Sequence, residues 1–398
     1  MSHFSAMKTL LVAFTIAGSL LGSLSASEPV TVFKRGQAGY QVFRIPAIIK
    51  AANGDLIALC EARQGGDASE IDMVSRRSTD SGKTWGELQV VLESDDFQQL
   101  YPGKEITIGN PAPVVDLLDK KHPGRIWLPF TIENDRVCVT YSDDHGSSWA
   151  RYRDITNVAK LDRWGWYATG PVHSIQLQST EHRGRLVIPC DHRLGDDGQD
   201  KGANGAHVLL SDDHGATWRL GAIDDSYEDG LNANETTVVE LADGHLYFST
   251  RDQHGKARGT RGFALSPDGG DTFQSSGVDG FGAFAPTSPT LDTPVVQSSL
   301  LRASLPSDST PGLILFCGPD ENGPTGKGRS DLRIRYTTNE ARSWHDGPLL
   351  HVGPAAYSDM VSISDDSTGV LFEAGPSGGS PYDTIQFLSV QNAALTAK

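Results

Sequence analysis

Ser211-Asp212-Asp213-His214-Gly215-Ala216-Thr217-Trp218 is the stretch from which the fold can be read, because the chain repeats it. Ser78-Thr79-Asp80-Ser81-Gly82-Lys83-Thr84-Trp85 has the same pattern, Ser-x-Asp-x-Gly-x-Thr-Trp, and Ser142-Asp143-Asp144-His145-Gly146-Ser147-Ser148-Trp149 only replaces Thr by Ser. Ser266-Pro267-Asp268-Gly269-Gly270-Asp271-Thr272-Phe273 keeps an aromatic at its end, and Thr337-Thr338-Asn339-Glu340-Ala341-Arg342-Ser343-Trp344 is a worn copy without the Ser, Asp and Gly. Successive copies start 55 to 71 residues apart, which is the behaviour of a repeat architecture.

One copy reads as a tight hairpin. Ser and Asp side chains hold a turn by bonding nearby backbone, and Gly supplies the positive φ the turn needs. The Trp re-enters a strand and packs on the neighbouring hairpin. Apolar, β-prone runs precede the boxes: Ile71 to Val74, Val137 to Tyr141, Ala206 to Leu210 and Leu332 to Tyr336. The acidic residues invite a metal reading, but turn formation explains them first; the boxes signal a fold and carry no chemistry.

The rest of the composition agrees. With 43 glycines, little helical periodicity and short β-rich runs between Gly, Asp and Pro, the class is all-β. The box spacing holds about four strands, the size of a propeller blade. Five boxes and room for one blade without a box predict a six-bladed β-propeller as a single domain over residues 28–398.

The first 27 residues read differently. Lys8 precedes the apolar run Leu10 to Ala17, followed by small residues through Ser27, the pattern of a secretory signal cleaved near Ser25 to Ser27. Gly18, Ser19, Gly22 and Ser23 break the run, and no later segment offers the roughly 18 apolar residues of a spanning helix. The expectation is a secreted or periplasmic, monomeric protein without stable membrane insertion. A net charge of −16 with no basic stripe argues against nucleic acid as a partner. It does not bar an acidic substrate if cations are gathered in one cleft. The cysteines at 60, 138, 190 and 317 each lie in a strand-like run and are expected as buried free thiols. No Cys-x-x-Cys or His-Glu-x-x-His spacing supports a metal site, and His145 and His214 fall in box turns.

Candidate chemistry begins at Phe43-Arg44-Ile45-Pro46, where an arginine stands directly ahead of a buried apolar run. Followed by several Asp boxes, this stretch resembles the bacterial exo-α-sialidases, a retaining neuraminidase family, and the similarity extends along nearly the whole mature chain. Glu61-Ala62-Arg63 followed by Gly66-Asp67-Ala68-Ser69 is similar to the loop bearing that family's acid/base aspartate. Asn110 to Asp116 and Gly184 to Pro189 resemble framework stretches. Asn234-Glu235, Arg251 after the strand Leu246 to Thr250, Arg329, Tyr357-Ser358-Asp359, and Gly369 to Glu373 resemble the remaining site segments in order.

The resemblance implies a hydrolase that removes terminal α-linked sialic acid from glycoconjugates such as glycoproteins and gangliosides. It assigns Arg44, Arg251 and Arg329 to the substrate carboxylate and Glu373 to the support of Arg44, with Arg63 in a supporting place. It implies Tyr357 as nucleophile, Glu235 as its base and Asp67 as acid/base. That chemistry needs those residue types. Sialic acid carries a carboxylate on its anomeric carbon, and planar guanidinium groups grip it while staying charged. An Asp or Glu nucleophile would meet like charge there, whereas a neutral phenol would not. A phenol with pKa near about 10 needs a base within reach. No metal or organic cofactor is implied.

Each residue also has a structural reading: Asp67 as a turn aspartate, Tyr357 as core, Glu235 at a strand end, Arg251 with Glu373 as an ion pair. Arg333 and Arg335 compete with Arg329, and Asp72 with Asp67. Trp164, Trp166 and Tyr167 fit sugar stacking or packing equally. The rivals to hydrolysis are a catalytically silent Asp-box propeller that binds glycans, and an enzyme acting on another nonulosonic acid or forming an anhydro or transferred product.

Overall fold

The computed structural model describes residues 26–195, 202–256, 259–326 and 328–396, so all but the last two residues of the expected signal lie outside the described residues. The regular structure of the described chain is almost entirely antiparallel strand, joined as up-and-down meanders. The first sheet contains Val42–Lys50, Leu56–Arg63, Ile71–Ser78 and Gln89–Leu92. The second is built on Arg125–Ile132 and Arg136–Ser142, the third on Leu186–Leu194 and Asn204–Ser211, and the fourth on Ala233–Glu240 and Leu246–Asp252. The last sheet has seven strands, from Ser299–Ser304 to Thr384–Gln391, with Val30–Lys34 added at the edge of the latter. Near its middle runs the 20-residue strand His345–Ser364. Its first half pairs with Ser330–Thr337 and its second half with Ser367–Ala374. The result is a propeller-like ring of sheets, and among the described residues no helix is long and apolar enough to cross a membrane.

The boxes make the turns their sequence implies. Gly82 N donates to Ser78 Oγ at 2.8 Å, while Thr84 donates its N–H and Oγ1–H to the two Asp80 oxygens at 2.9 and 2.6 Å. Those bonds from Thr84 hold the Asp80 carboxyl down to about 2. The same bond closes Gly146 on Ser142, Gly215 on Ser211 and Gly270 on Ser266. In the worn copy Asn339 stands in for Asp, accepting from Ser343 N at 3.0 Å. The box aspartates are consumed by their own turns.

Each turn also locks one sheet to the one before it. Gly146 presses on Ile57 of the first sheet, Gly215 on Trp127 of the second and Gly270 on Leu210 of the third. Gly82 of the first sheet presses on Phe387 of the last, and this contact closes the ring. A Cβ at Gly82 would stand 1.9 Å from the Phe387 ring, with φ at +88°. Gly82→Ala should therefore cost about 3 kcal/mol or more, combining left-handed strain with overpacking. Gly54 has φ +94° and open space around it, so Gly54→Ala should cost only about 1 kcal/mol. Urea midpoints of the two variants measure the difference, and equal values would remove the contact as the cause.

The interior is divided among apolar clusters between and within sheets. All four cysteines are buried in it as free thiols. Trp164 and Tyr167 are fully buried in the third sheet, where Trp164 stacks on His192 at 3.9 Å, so packing accounts for both. Trp166 is partly exposed and lies under the Arg193 guanidinium at 4.9 Å.

The histidines beside that tryptophan set an acid limit. His192 Nδ1 and His207 Nδ1 share a hydrogen bond of 3.0 Å, and burial holds His192 down to about 3 and His207 well below its ordinary value. The unfolded chain protonates both near pH ~6.5. Their contribution to stability is thus complete above that pH and is lost as pH falls from about 6.5 towards 3, by up to about 1.4 kcal/mol per pH unit for each histidine. Urea midpoints should drop steadily between pH 7 and pH 5; a flat profile refutes this assignment.

Candidate active site

Three of the expected residues stand at irregularities in strand pairing. The ladder between Val42–Lys50 and Leu56–Arg63 slips between Arg44 and Ala47, where Ile45 adopts φ +59° and Pro46 has no N–H to offer. The ladder slips again between Ala233 and Thr236 at Glu235, and between Ala355 and Ser358 at Tyr357. A bulge re-aims a side chain that regular alternation would send elsewhere, and here the bulges turn an arginine, a glutamate and a tyrosine towards one another.

Glu373, fully buried, ties two of these bulges together. Its Oε1 accepts from Arg44 Nε at 2.7 Å and from Ile45 N at 2.9 Å, and its Oε2 accepts from Tyr357 N at 3.2 Å. Burial works against the Arg44 charge, but Glu373 outweighs it and raises the guanidinium above its ordinary value.

The phenol of Tyr357 donates a short hydrogen bond to Glu235 Oε1, and Glu235 Oε2 accepts from Arg251 NH1 at 2.7 Å. Arg251 NH1 also lies 3.3 Å from the phenol oxygen. Arg44 and Arg329 sit 5.1 and 5.6 Å from the centre of the same ring. Burial pushes the phenol well above its ordinary value and the Glu235 carboxylate adds to that, while Arg251, Arg44 and Arg329 oppose it. The three arginines, the tyrosine and Glu235 thus form one cluster.

Asp67 projects from the loop after Leu56–Arg63, with its side chain 87% exposed at the edge of the cluster, 3.9 Å from Arg44 NH1. Arg63 NH1 reaches the same carboxylate. Burial would raise the Asp67 carboxyl, but Arg63, then Arg44 and Arg329, hold it below the usual range. Arg63 is gripped from behind by Glu61, whose Oε1 accepts from Asn110 N at 2.9 Å. The competitors stand apart. Asp72 accepts from Tyr40 OH and Ser94 N, Arg333 pairs with Asp320, and Arg335 is buried against Asp292 and Asp320.

The sequence assigned no role to several participants. Glu61, inside the stretch similar to the acid/base loop, is one. Tyr382 is another: its ring lies 3.9 Å from the Arg44 guanidinium and its hydroxyl accepts from Arg329 NH1 at 2.8 Å, so it separates two like charges. Asp191, fully buried, accepts from Asn234 Nδ2 at 2.7 Å; burial drives its carboxyl well above the ordinary range, and Glu235 adds to the rise.

The cluster offers a planar-anion grip beside a phenol with a carboxylate base, and at its edge an exposed carboxyl group. Among the described residues no group of three or more His, Cys, Asp or Glu side chains is placed to hold a metal ion.

Comparison with known proteins sets this arrangement in context. The sequence pattern of the family described as BNR repeat-like domain matches residues 54–371. The chain is 28% identical to a sialidase of Micromonospora viridifaciens, over 92% of this chain and 56% of that protein, so it spans little more than half of that relative. It is 29% identical to human sialidase-3, over 84% of this chain and 86% of that one. Among solved structures, the Hadza microbial sialidase Hz136 superposes with a TM-score of 0.74 at 24% identity, covering 92% of this chain and 69% of the other. The intramolecular trans-sialidase from Ruminococcus gnavus gives 0.71 at 19% identity, over 92% and 98%. These likenesses show a shared fold.

Proposed function

The chain belongs to the BNR repeat-like domain family, and from that premise we propose that it is an exo-α-sialidase acting on terminal α-sialosides through a tyrosine nucleophile. The observation that carries the reading is the Tyr357–Glu235 hydrogen bond inside a cluster of three arginines. An anion-binding pocket alone needs no phenol paired to a base, which disfavours a silent glycan-binding propeller.

In the proposed reaction Arg44, Arg251 and Arg329 hold the substrate carboxylate and fix the anomeric carbon over Tyr357. Glu235 takes the phenol proton as the oxygen attacks, and the positive charges that already surround the ring stabilise the phenolate character that develops. Asp67 gives its proton to the departing glycosidic oxygen, then takes one from the water that releases sialic acid. Two displacements retain the anomeric configuration. Arg63 holds the Asp67 carboxyl below the usual range, so the protonated acid is scarce at neutral pH. Reaction with substrates that need the acid should accelerate as pH falls.

The test is release of 4-methylumbelliferone and of free sialic acid from the aryl α-sialoside, with the first-formed anomer identified by NMR. Retained α-configuration supports the proposal; binding without turnover, or an inverted product, sinks it. An anhydro product would favour the intramolecular transfer activity named for the Ruminococcus relative. Asp67→Ala should lower turnover of an alkyl-linked sialoside about a hundredfold, and that of the aryl sialoside by about tenfold or less, because a phenolate leaves without much help. Equal losses on both substrates would remove Asp67 as the acid.

Two structural readings accompany this one. We read the seven-stranded sheet as two blades sharing His345–Ser364, which makes six; the change of partner midway along that strand supports it. The stretch from Ala355 onward has no Asp box, and a turn between Ser364 and Ser367 takes its place. We also propose that residues 1–27 are an export signal, on the strength of Lys8 and the apolar run after it. N-terminal sequencing of the secreted product tests it.

A further inference from the structure

Arg261 is 1% exposed, and among the described residues its hydrogen bonds go to a hydroxyl and a backbone carbonyl and to no carboxylate. It lies opposite Arg251 in the ladder between Leu246–Asp252 and Arg261–Ser266. Its Nε and NH2 donate to Ser249 Oγ at 3.3 and 3.1 Å, its NH1 donates to Val296 O at 3.1 Å, and the guanidinium lies 5.3 Å from the centre of the Phe316 ring. Buried charges are ordinarily paired. An arginine spent on a hydroxyl and a backbone carbonyl calls for a reason.

The carbonyl it holds belongs to a non-strand strap, Val295-Val296-Gln297, and all three residues touch the site. Val295 O accepts from Arg329 NH2 at 3.3 Å. The Val296 side chain is buried in one small cluster with Ile45, Ala356 and Tyr357. The Gln297 side chain bonds the backbone beside the tyrosine in both directions, accepting from Ser358 N and donating to Ser358 O, each at 3.1 Å. The strap therefore spans the third arginine, the tyrosine ring and the strand that carries it, and Arg261 grips its middle.

We propose that Arg261 is a positioning residue that acts through this strap to hold Tyr357 and Arg329 in register with each other. Its guanidinium does this better than a neutral side chain would, because its fixed fork reaches Ser249 and Val296 at once from a rigid strand. The kinetic readout rests on the sialidase reading above; the structural readout below does not.

The experiment compares Arg261→Met, Arg261→Lys and Gln297→Met with the parent chain on the aryl sialoside. Arg261→Met should lower kcat at least tenfold and raise KM at least fivefold, since nucleophile and carboxylate ligand both lose their brace. Gln297→Met should lower kcat with KM within twofold, because Arg329 keeps its carbonyl. Acting through one strap, the two changes combined should cost less in kcat than the product of the single losses. Arg261→Lys should recover part of kcat. A folded Arg261→Met with kcat and KM within twofold of the parent overturns the proposal, as do losses that simply multiply. If Arg261→Met does not fold, Ser249→Ala takes its place: a loss of at least threefold in kcat supports the brace, and unchanged kinetics overturn it. If the parent chain turns over no sialoside, the functional reading fails and the crystal structure of Arg261→Met decides this one. A strap withdrawn from Arg329 and Ser358 upholds it, and a strap in place overturns it.

Discussion

Tyr357→Phe should lower turnover of every sialoside by about a thousandfold or more, while the protein keeps its stability and still binds an unreactive sialic acid analogue. A covalent nucleophile is worth at least about 4 kcal/mol of barrier on this scale. The substitution is clean because the ring stays where it packs, among Ile45, Val296 and Ala356, and only the hydroxyl leaves. Glu235 is not stranded by the loss, since Arg251 NH1 still donates to it at 2.7 Å. Stability should therefore change by no more than about 1 kcal/mol. Single-turnover kinetics together with calorimetric binding separate the two effects. If Tyr357→Phe keeps more than a tenth of kcat, the phenol merely positions the substrate and the covalent mechanism is wrong.

What the sequence made legible here was local. An Asp box completes its bonds within eight residues, from Ser78 to Trp85, so its turn can be read wherever it occurs. The bulge at Arg44 is also local, because Pro46 interrupts the ladder by its chemistry. The supporting residues are of another kind. Glu61 reaches Asn110, 49 positions away, Tyr382 reaches Arg329 across 53, and Gln297 reaches Ser358 across 61. Nothing about a glutamate in a strand or a tyrosine in a turn announces a partner so remote; only closure of the ring brings them together. Trp164 and Tyr167 teach the same lesson from the other side. An aromatic pair in such a stretch suits stacking on a sugar as well as packing, and His192 and His207 of the same sheet decide for packing. The alternatives to Arg329 were likewise beyond one-dimensional reading, since Arg333 and Arg335 differ from it chiefly in having carboxylate partners.

That difference in partners makes the three cage arginines unequal. Arg44 has Glu373 at 2.7 Å and Arg251 has Glu235 at 2.7 Å, whereas among the described residues Arg329 hydrogen-bonds a tyrosine hydroxyl and a carbonyl. Its charge is the least neutralised before substrate arrives, so it should contribute the most to holding the incoming carboxylate. A unit charge pair at about 4 Å is worth about 4 kcal/mol at an effective dielectric near 20. After desolvation about 3 kcal/mol remains, so Arg329→Ala should lower kcat/KM by roughly a hundredfold, mostly through KM, and high salt should shrink that gap. Its stability should be unchanged or slightly higher, because a repelling cation has gone. Arg44→Ala should behave differently. It leaves Glu373, fully buried, without its counter-ion, and that costs about 3–5 kcal/mol of folding stability along with the activity. Double replacement, Arg44→Met with Glu373→Gln, should recover most of the stability and none of the activity. Melting curves and kcat/KM for the three variants separate a binding cation from a structural one. If Arg329→Ala unfolds as readily as Arg44→Ala, or if the double variant regains turnover, the division of labour argued here is wrong.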